Sequence, residues 1–137
     1  MKQFEFKTKE ATNTTLNTEV ANLVSELMNA ATSFHKLHLK IGNFAAHKCL
    51  NDIYTSLPDS ADSLAEEFQG ASQELLNYSE VLPKILNTKE DGLQYAKDLK
   101  TKVTNIQSKL PYSEIINILD NTKSDLNSLL YKLKFLS

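Results

Sequence analysis

The chain has 137 residues, 41% hydrophobic and 23% charged, which fits one globular domain able to bury a core without disulfide or metal staples. Its net charge of -2 gives no general attraction for nucleic acid, and because all fifteen basic residues are lysine, bidentate guanidinium clamps are excluded. Cys49 is the single cysteine, so an intrachain disulfide is excluded and a reducing, cytoplasmic setting is expected.

No apolar run approaches the ~20 residues that span a bilayer, and the first residues, from Met1 to Lys7, hold no signal-peptide apolar region. Residues 1–15 read as a polar Thr/Asn-rich tail. The alternative is an arm that touches a partner subunit or DNA, but Glu5 and Glu10 offset Lys2, Lys7 and Lys9. Residues 16–137 read as the folded domain.

The first helix is expected to start near the Thr14–Thr18 cluster, whose hydroxyls suit an N-cap. Val20, Leu23, Val24, Leu27, Ala31, Phe34 and Leu37 or His38 follow the spacing of a buried stripe, and Gly42 predicts an end near Lys40. The second helix starts at about Asn43 as N-cap, carries Ala46, Leu50, Ile53, Leu57, Ala61, Leu64 and Phe68 inward, and is expected to end at Gly70. Pro58 predicts a kink within a continuous helix; the alternative is a second helix that starts there. Residues 71–87 form a connection that could run along the bundle, with a short helical turn expected at Glu74–Tyr78.

A capping box at Thr88–Asp91 opens a third helix to about Leu110, with Leu93, Ala96, Leu99, Val103, Ile106 and Leu110 inward. Pro111 stops it. A fourth helix runs from Tyr112 or Ser113 with Ile115, Leu119, Thr122, Leu126, Leu129, Leu133 and Leu136 in a 4-3 alternation. The fold class is therefore all-α, a four-helix bundle with short turns inside the first and last helix pairs.

All three histidines, His35, His38 and His47, fall within thirteen residues around the Gly42-Asn43 turn. His47, Asn51, Asp62 and Glu66 share one face of the second helix. One chain cannot close a site from them, since His47 and Glu66 lie roughly 28 Å apart along a helix rising about 1.5 Å per residue. The pairs His47/Glu66 and Asn51/Asp62 are nevertheless centred on one point, between residues 56 and 57. Two copies of this helix crossing antiparallel on a two-fold axis there would join His47 to the other copy's Glu66, and Asn51 to its Asp62. With His35 and His38 returned beside His47 by the turn, the donors are imidazole, carboxylate and amide, a set that suits iron, manganese or zinc.

Other readings stand beside this one. His38 is in phase with the core and also reads as a buried, hydrogen-bonded histidine, while Asp62 and Glu66 also read as solvated surface charges. Tyr54 reads as core packing or as an electron donor beside the site, and Cys49 as packing. No nucleophile–base triad, glycine-rich phosphate loop or zinc-finger spacing is present, and the last two helices lack the Glu-x-x-His of bundle-centred di-iron proteins.

The run His38-Leu-Lys-Ile-Gly42, Phe44, His47, Asn51 and Asp62-Ser-Leu-Ala-Glu66 resembles the core signature of Dps proteins, the twelve-subunit mini-ferritins of the ferritin-like superfamily. The stretch Ser113–Tyr131 is similar to their last helix, and the His/Asp/Glu pattern also looks like that of a group of uncharacterised tailed-phage proteins. The resemblance implies a ferritin-like bundle with a short helical segment between the second and third helices. It also implies a homo-oligomer, a dodecamer, that binds, oxidises and stores iron at two-fold sites, with peroxide or dioxygen as oxidant.

By carry-over His35 or His38, His47, Asp62 and Glu66 are ligands. Asn51 stands where the family has a metal-binding Asp, and Leu39 replaces its Trp. The turn is shorter by about two residues, Pro58 lies near the two-fold, and the family's lysine-rich DNA-binding tail is not matched. The alternative is a phage-encoded structural or interaction protein of the same fold, with a degenerate site and a host-cytoplasmic location.

Overall fold

The computed structural model describes the backbone of residues 2–137 and the side chains of residues 14–137; the side chains of the N-terminal arm, and the expectations placed on them, lie outside it. Four helices follow in order: α1 (Lys2–Lys40), α2 (Phe44–Ser72), α3 (Lys89–Gln107) and α4 (Ser113–Phe135). Among the described residues there is no strand.

Local chemistry explains most helix ends. Asn43 takes an extended backbone and its side chain accepts from Ala46 N at 2.9 Å, which satisfies one of the free donors of the first turn of α2. Thr88 and Asp91 close the expected capping box on α3. The Asp91 carboxylate accepts from the backbone of Asn87 and Thr88, and these bonds hold its pKa below the ordinary 3.8. Ser113 begins α4 after Pro111.

Four expected boundaries or turns differ. α1 runs on from Lys2, so Thr18 sits inside it, its hydroxyl donating to the Thr14 carbonyl rather than capping a terminus. α2 passes Gly70 and stops at Ser72, where Gln73, not glycine, takes the left-handed conformation at φ 60° and returns its N–H to the Gln69 carbonyl. α3 stops at Gln107, with Lys109 and Leu110 held by single bonds back to Ile106 and Gln107. The helical turn at Glu74–Tyr78 does not form. Pro58, by contrast, sits within a continuous α2, as expected.

The missing helical turn has a cause in α1. The connection from α2 to α3 is drawn out along α1, which supplies its hydrogen bonds. Asn17 donates to Glu74, Ser25 to the Ser79 carbonyl, Asn29 to the Val81 carbonyl, Ser33 to the Lys84 carbonyl and Lys40 to Asn87. These contacts advance together along both segments, so the connection travels in the direction of α1. From Asn17 to Lys40 the helix covers roughly 35 Å at about 1.5 Å per residue. A chain from Glu74 to Asn87 spans that distance only when nearly extended, at about 3.3–3.6 Å per residue at most.

This path fixes the topology. α2 runs antiparallel to α1 across the Ile41–Asn43 turn. α3 also runs antiparallel to α1, as the ion pairs Lys102–Glu26 at 2.9 Å and Lys109–Glu19 at 2.8 Å require. α4 lies antiparallel to α2, with Lys132 3.6 Å from Asp52. α2 and α3 are therefore parallel, and the bundle has a single long crossover between them rather than a simple up-down connectivity.

The core contains the expected stripes of α1, α2 and α3, apart from Leu93, which is only partly buried. Tyr95 is an unexpected member: 3% exposed, it packs against Phe34 with ring centroids 5.4 Å apart. Burial, and then the neighbouring Glu26 carboxylate, push its phenol pKa up. Leu136, assigned to the α4 stripe, is 55% exposed because the helix has ended at Phe135.

Two outcomes test this architecture. Ser33 is 1% exposed, and Ser33→Ala removes the bond to the Lys84 carbonyl; the expected loss is about 1–3 kcal/mol, read by denaturant unfolding. For Asp91 the lowered folded pKa means that its stabilising contribution is complete above its ordinary 3.8 and disappears as pH falls through the folded value. Asp91→Asn should therefore lower the melting temperature at neutral pH, and the difference from the native chain should close in strong acid.

Candidate metal centre

The turn between α1 and α2 brings the three histidines together, as the sequence suggests. His38, 7% exposed, lies in the core-facing register of α1. His47 is half-buried one turn into α2, and His35 is exposed one turn before His38. The imidazoles of His38 and His47 stack with centroids 3.6 Å apart and planes 18° from parallel. His38 Nδ1–H donates to the His47 carbonyl at 2.6 Å, and His47 Nδ1–H donates to the His38 carbonyl at 2.9 Å. A carbonyl can only accept, so each ring carries a proton on Nδ1, and in the neutral form the lone pair is on Nε2. This is the second-sphere contact that fixes the tautomer of a metal-ligating histidine.

Tyr54 completes the cluster. Its ring stacks on His35 at 3.9 Å and 4°, meets His38 edge-on at 5.1 Å, and its hydroxyl donates to Asn51 Oδ1 at 2.7 Å. The sequence places Tyr54 only beside this face, because no spacing rule reveals that its ring fills the gap between the two helices. Asn51 thus joins the histidines through Tyr54. Phe44 flanks His47 at 6.4 Å but is 75% exposed.

Asp62 and Glu66 are not brought to this cluster. Both are exposed on the later part of α2, and the rise of the helix keeps Glu66 roughly 28 Å from His47. Among the described residues no group of three or more His, Cys, Asp or Glu side chains could hold a metal ion.

The stack adds a further restriction. An imidazole lone pair lies in the ring plane, and two nearly parallel planes 3.6 Å apart do not meet at a point about 2 Å from both nitrogens. His38 and His47 as placed supply single donors rather than a chelate. One chain alone, among its described residues, does not fit a complete iron site.

Cys49 is buried, its thiol donating to the Ala46 carbonyl at 3.3 Å, and burial raises its pKa. It is an inert packing residue, as its lone occurrence suggests.

Fold and site together define a small all-α protein: a four-helix bundle with one long crossover and a histidine–tyrosine cluster at the α1–α2 turn. The chain belongs to DUF5856, a family of unknown function, which matches residues 38–133. The matched span begins at His38 and takes in His47, Asn51, Asp62 and Glu66, but not His35. The chain is also similar to an uncharacterized 14.6 kDa protein in the mobD-ri intergenic region of Enterobacteria phage T4, with 26% identity over 110 residues and 80% of each chain covered. No solved structure matches. No helix of the described residues is long and apolar enough to cross a membrane.

Imidazole ¹⁵N spectra, recorded at a pH where the rings are neutral, should show His38 and His47 as Nδ1–H tautomers, against the Nε2–H form usual for free histidine. Tyr54→Phe, which removes the donor to Asn51, should leave those two signals unchanged and move those of Asn51 and His35.

Proposed function

We propose that this chain is the subunit of a homo-oligomer that binds a transition metal, iron first, at sites shared between two-fold-related copies. The observation that carries the reading is the spending of both Nδ1–H groups of His38 and His47 on backbone carbonyls, which reserves their Nε2 lone pairs for a ligand. The carboxylates that one chain lacks are Asp62 and Glu66 of the second copy, reached when two α2 helices cross antiparallel. Imidazole mixed with carboxylate oxygen suits Fe(II), and also Mn(II) or Zn(II).

The likeness of His38–Gly42, Phe44, His47 and Asp62–Glu66 to the Dps pattern favours iron as cargo, oxidised by peroxide or dioxygen and stored inside a dodecamer. In that setting this chain's residues bind and orient the ion, and the carboxylates favour the more highly charged oxidised state. Asn51 supplies a neutral oxygen already engaged by Tyr54, so the site has less negative charge than the family pattern. A phage-encoded protein working in the host cytoplasm suits the similarity to the phage T4 protein.

The stack itself favours a second reading, in which the histidines staple the α1–α2 turn of a structural or interaction protein and bind nothing. Asp62 separates the two, since it is exposed and bonded to nothing among the described residues. Anaerobic Fe(II) titration with metal analysis should give stoichiometric binding that both His47→Ala and Asp62→Ala abolish. The staple predicts loss of stability in His47→Ala and no effect of Asp62→Ala; retained binding in both variants would refute the metal site.

A further inference from the structure

We infer that Phe44 is the apolar anchor of a dimer, docking on the Gln69, Leu75 and Tyr78 surface of a second copy of this chain. The inference rests on the two-fold α2 pairing of the proposed function but not on any metal.

At 100° per residue, Phe44, His47, Lys48, Asn51, Asp62, Glu66 and Gln69 fall within a sector of about 100° on α2. Phe44 and Gln69 are centred on the same point, between residues 56 and 57, as His47/Glu66 and Asn51/Asp62. An antiparallel two-fold crossing that joins the inner pairs therefore also sets Phe44 against Gln69 at both ends.

Both sides of that outer contact are apolar and uncovered. Phe44 is 75% exposed at the first position of α2. Gln69 Oε1 accepts from Leu76 N at 3.0 Å and from the Tyr78 hydroxyl at 2.8 Å, which folds the start of the crossover over the end of α2. The platform so formed shows Leu75 at 87% and Tyr78 at 42% exposure.

Charge selects a second copy as the occupant. Lys48 stands beside Phe44, its Nζ 5.9 Å from the ring centroid, while Asp62 and Glu66 lie toward the Gln69 end. Among the described residues none of these three charges has an ion-pair partner. The face is basic at one end and acidic at the other, so reversal about the two-fold places Lys48 against Glu66 twice. Apolar and charged ends are both self-complementary, the requirement of an isologous interface.

The test runs in chelator, so that metal plays no part. Sedimentation at tens of micromolar should find the native chain dimeric. Phe44→Asp, an acceptable first residue for a helix, should weaken association about tenfold or more while leaving the helical circular dichroism unchanged. Phe44→Cys with Gln69→Cys, in a Cys49→Ser background, should yield linked dimers with a short bismaleimide. A link inside one chain is excluded by roughly 37 Å of helix between the two positions at about 1.5 Å per residue. A monomeric native chain, undiminished association of Phe44→Asp, or no cross-linked dimer would each overturn the anchor. A dimer that passes every arm and takes up no Fe(II) overturns the metal reading alone.

Discussion

The paired bonds between His38 and His47 join the end of α1 to the start of α2 by the backbone as much as by the side chains. Each imidazole reaches across the turn to the other's carbonyl, and the stacked rings fill the space between. The His38 carbonyl lies near the end of α1, where the last carbonyls lose their intrahelical partners, so the His47 bond satisfies a group that would otherwise need water. The same contact joins the two helices at the turn, and Tyr54 takes its place between His35 and His38.

The second constraint is the crossover. Two helices that leave a tight turn antiparallel can be followed by a simple up-down return, or by a long connection that restores the starting end. The polar stripe of α1, with Asn17, Ser25, Asn29, Ser33 and Lys40, decides for the long connection by meeting its backbone and side-chain groups at successive turns. The burial of Ser33 follows, and so does the exposure of Leu82 and Ile85 on the outer side of the strap. The connection occupies one flank of α1; on the flank beside α2 His35 stays exposed, while His38 is buried.

Much of the bundle was legible in the residues. The apolar stripes follow from a period of 3.6, and the caps at Asn43 and Thr88 follow from hydroxyl and amide chemistry local to a few residues. Errors collected where a nonlocal contact overrode a local preference. Gly70 reads as a helix end, yet packing of Phe68 and the bonds of Gln69 carry α2 on to Ser72. Glu74–Tyr78 has helical residues, yet its hydrogen bonds go to α1 and Gln69 instead. Tyr95 falls outside the apolar stripe read for the third helix, yet it is buried against Phe34. The closeness of His35, His38 and His47 was legible because the turn between them is short. The stack, the tautomers and the role of Tyr54 were not, since ring orientation depends on how two helices meet.

The sequence by itself determined four amphipathic helices, their inward residues, the turn that gathers three histidines, and the separation of Asp62 and Glu66 from them along one rigid helix. Those features depend on periodicity, capping and a fixed rise per residue, all of which act locally. Only the tertiary structure decided that the crossover runs beside α1, that α2 and α3 are parallel, and that His38 and His47 lock each other through Nδ1. These depend on which polar groups meet between segments far apart in the chain, and that is settled when the segments pack.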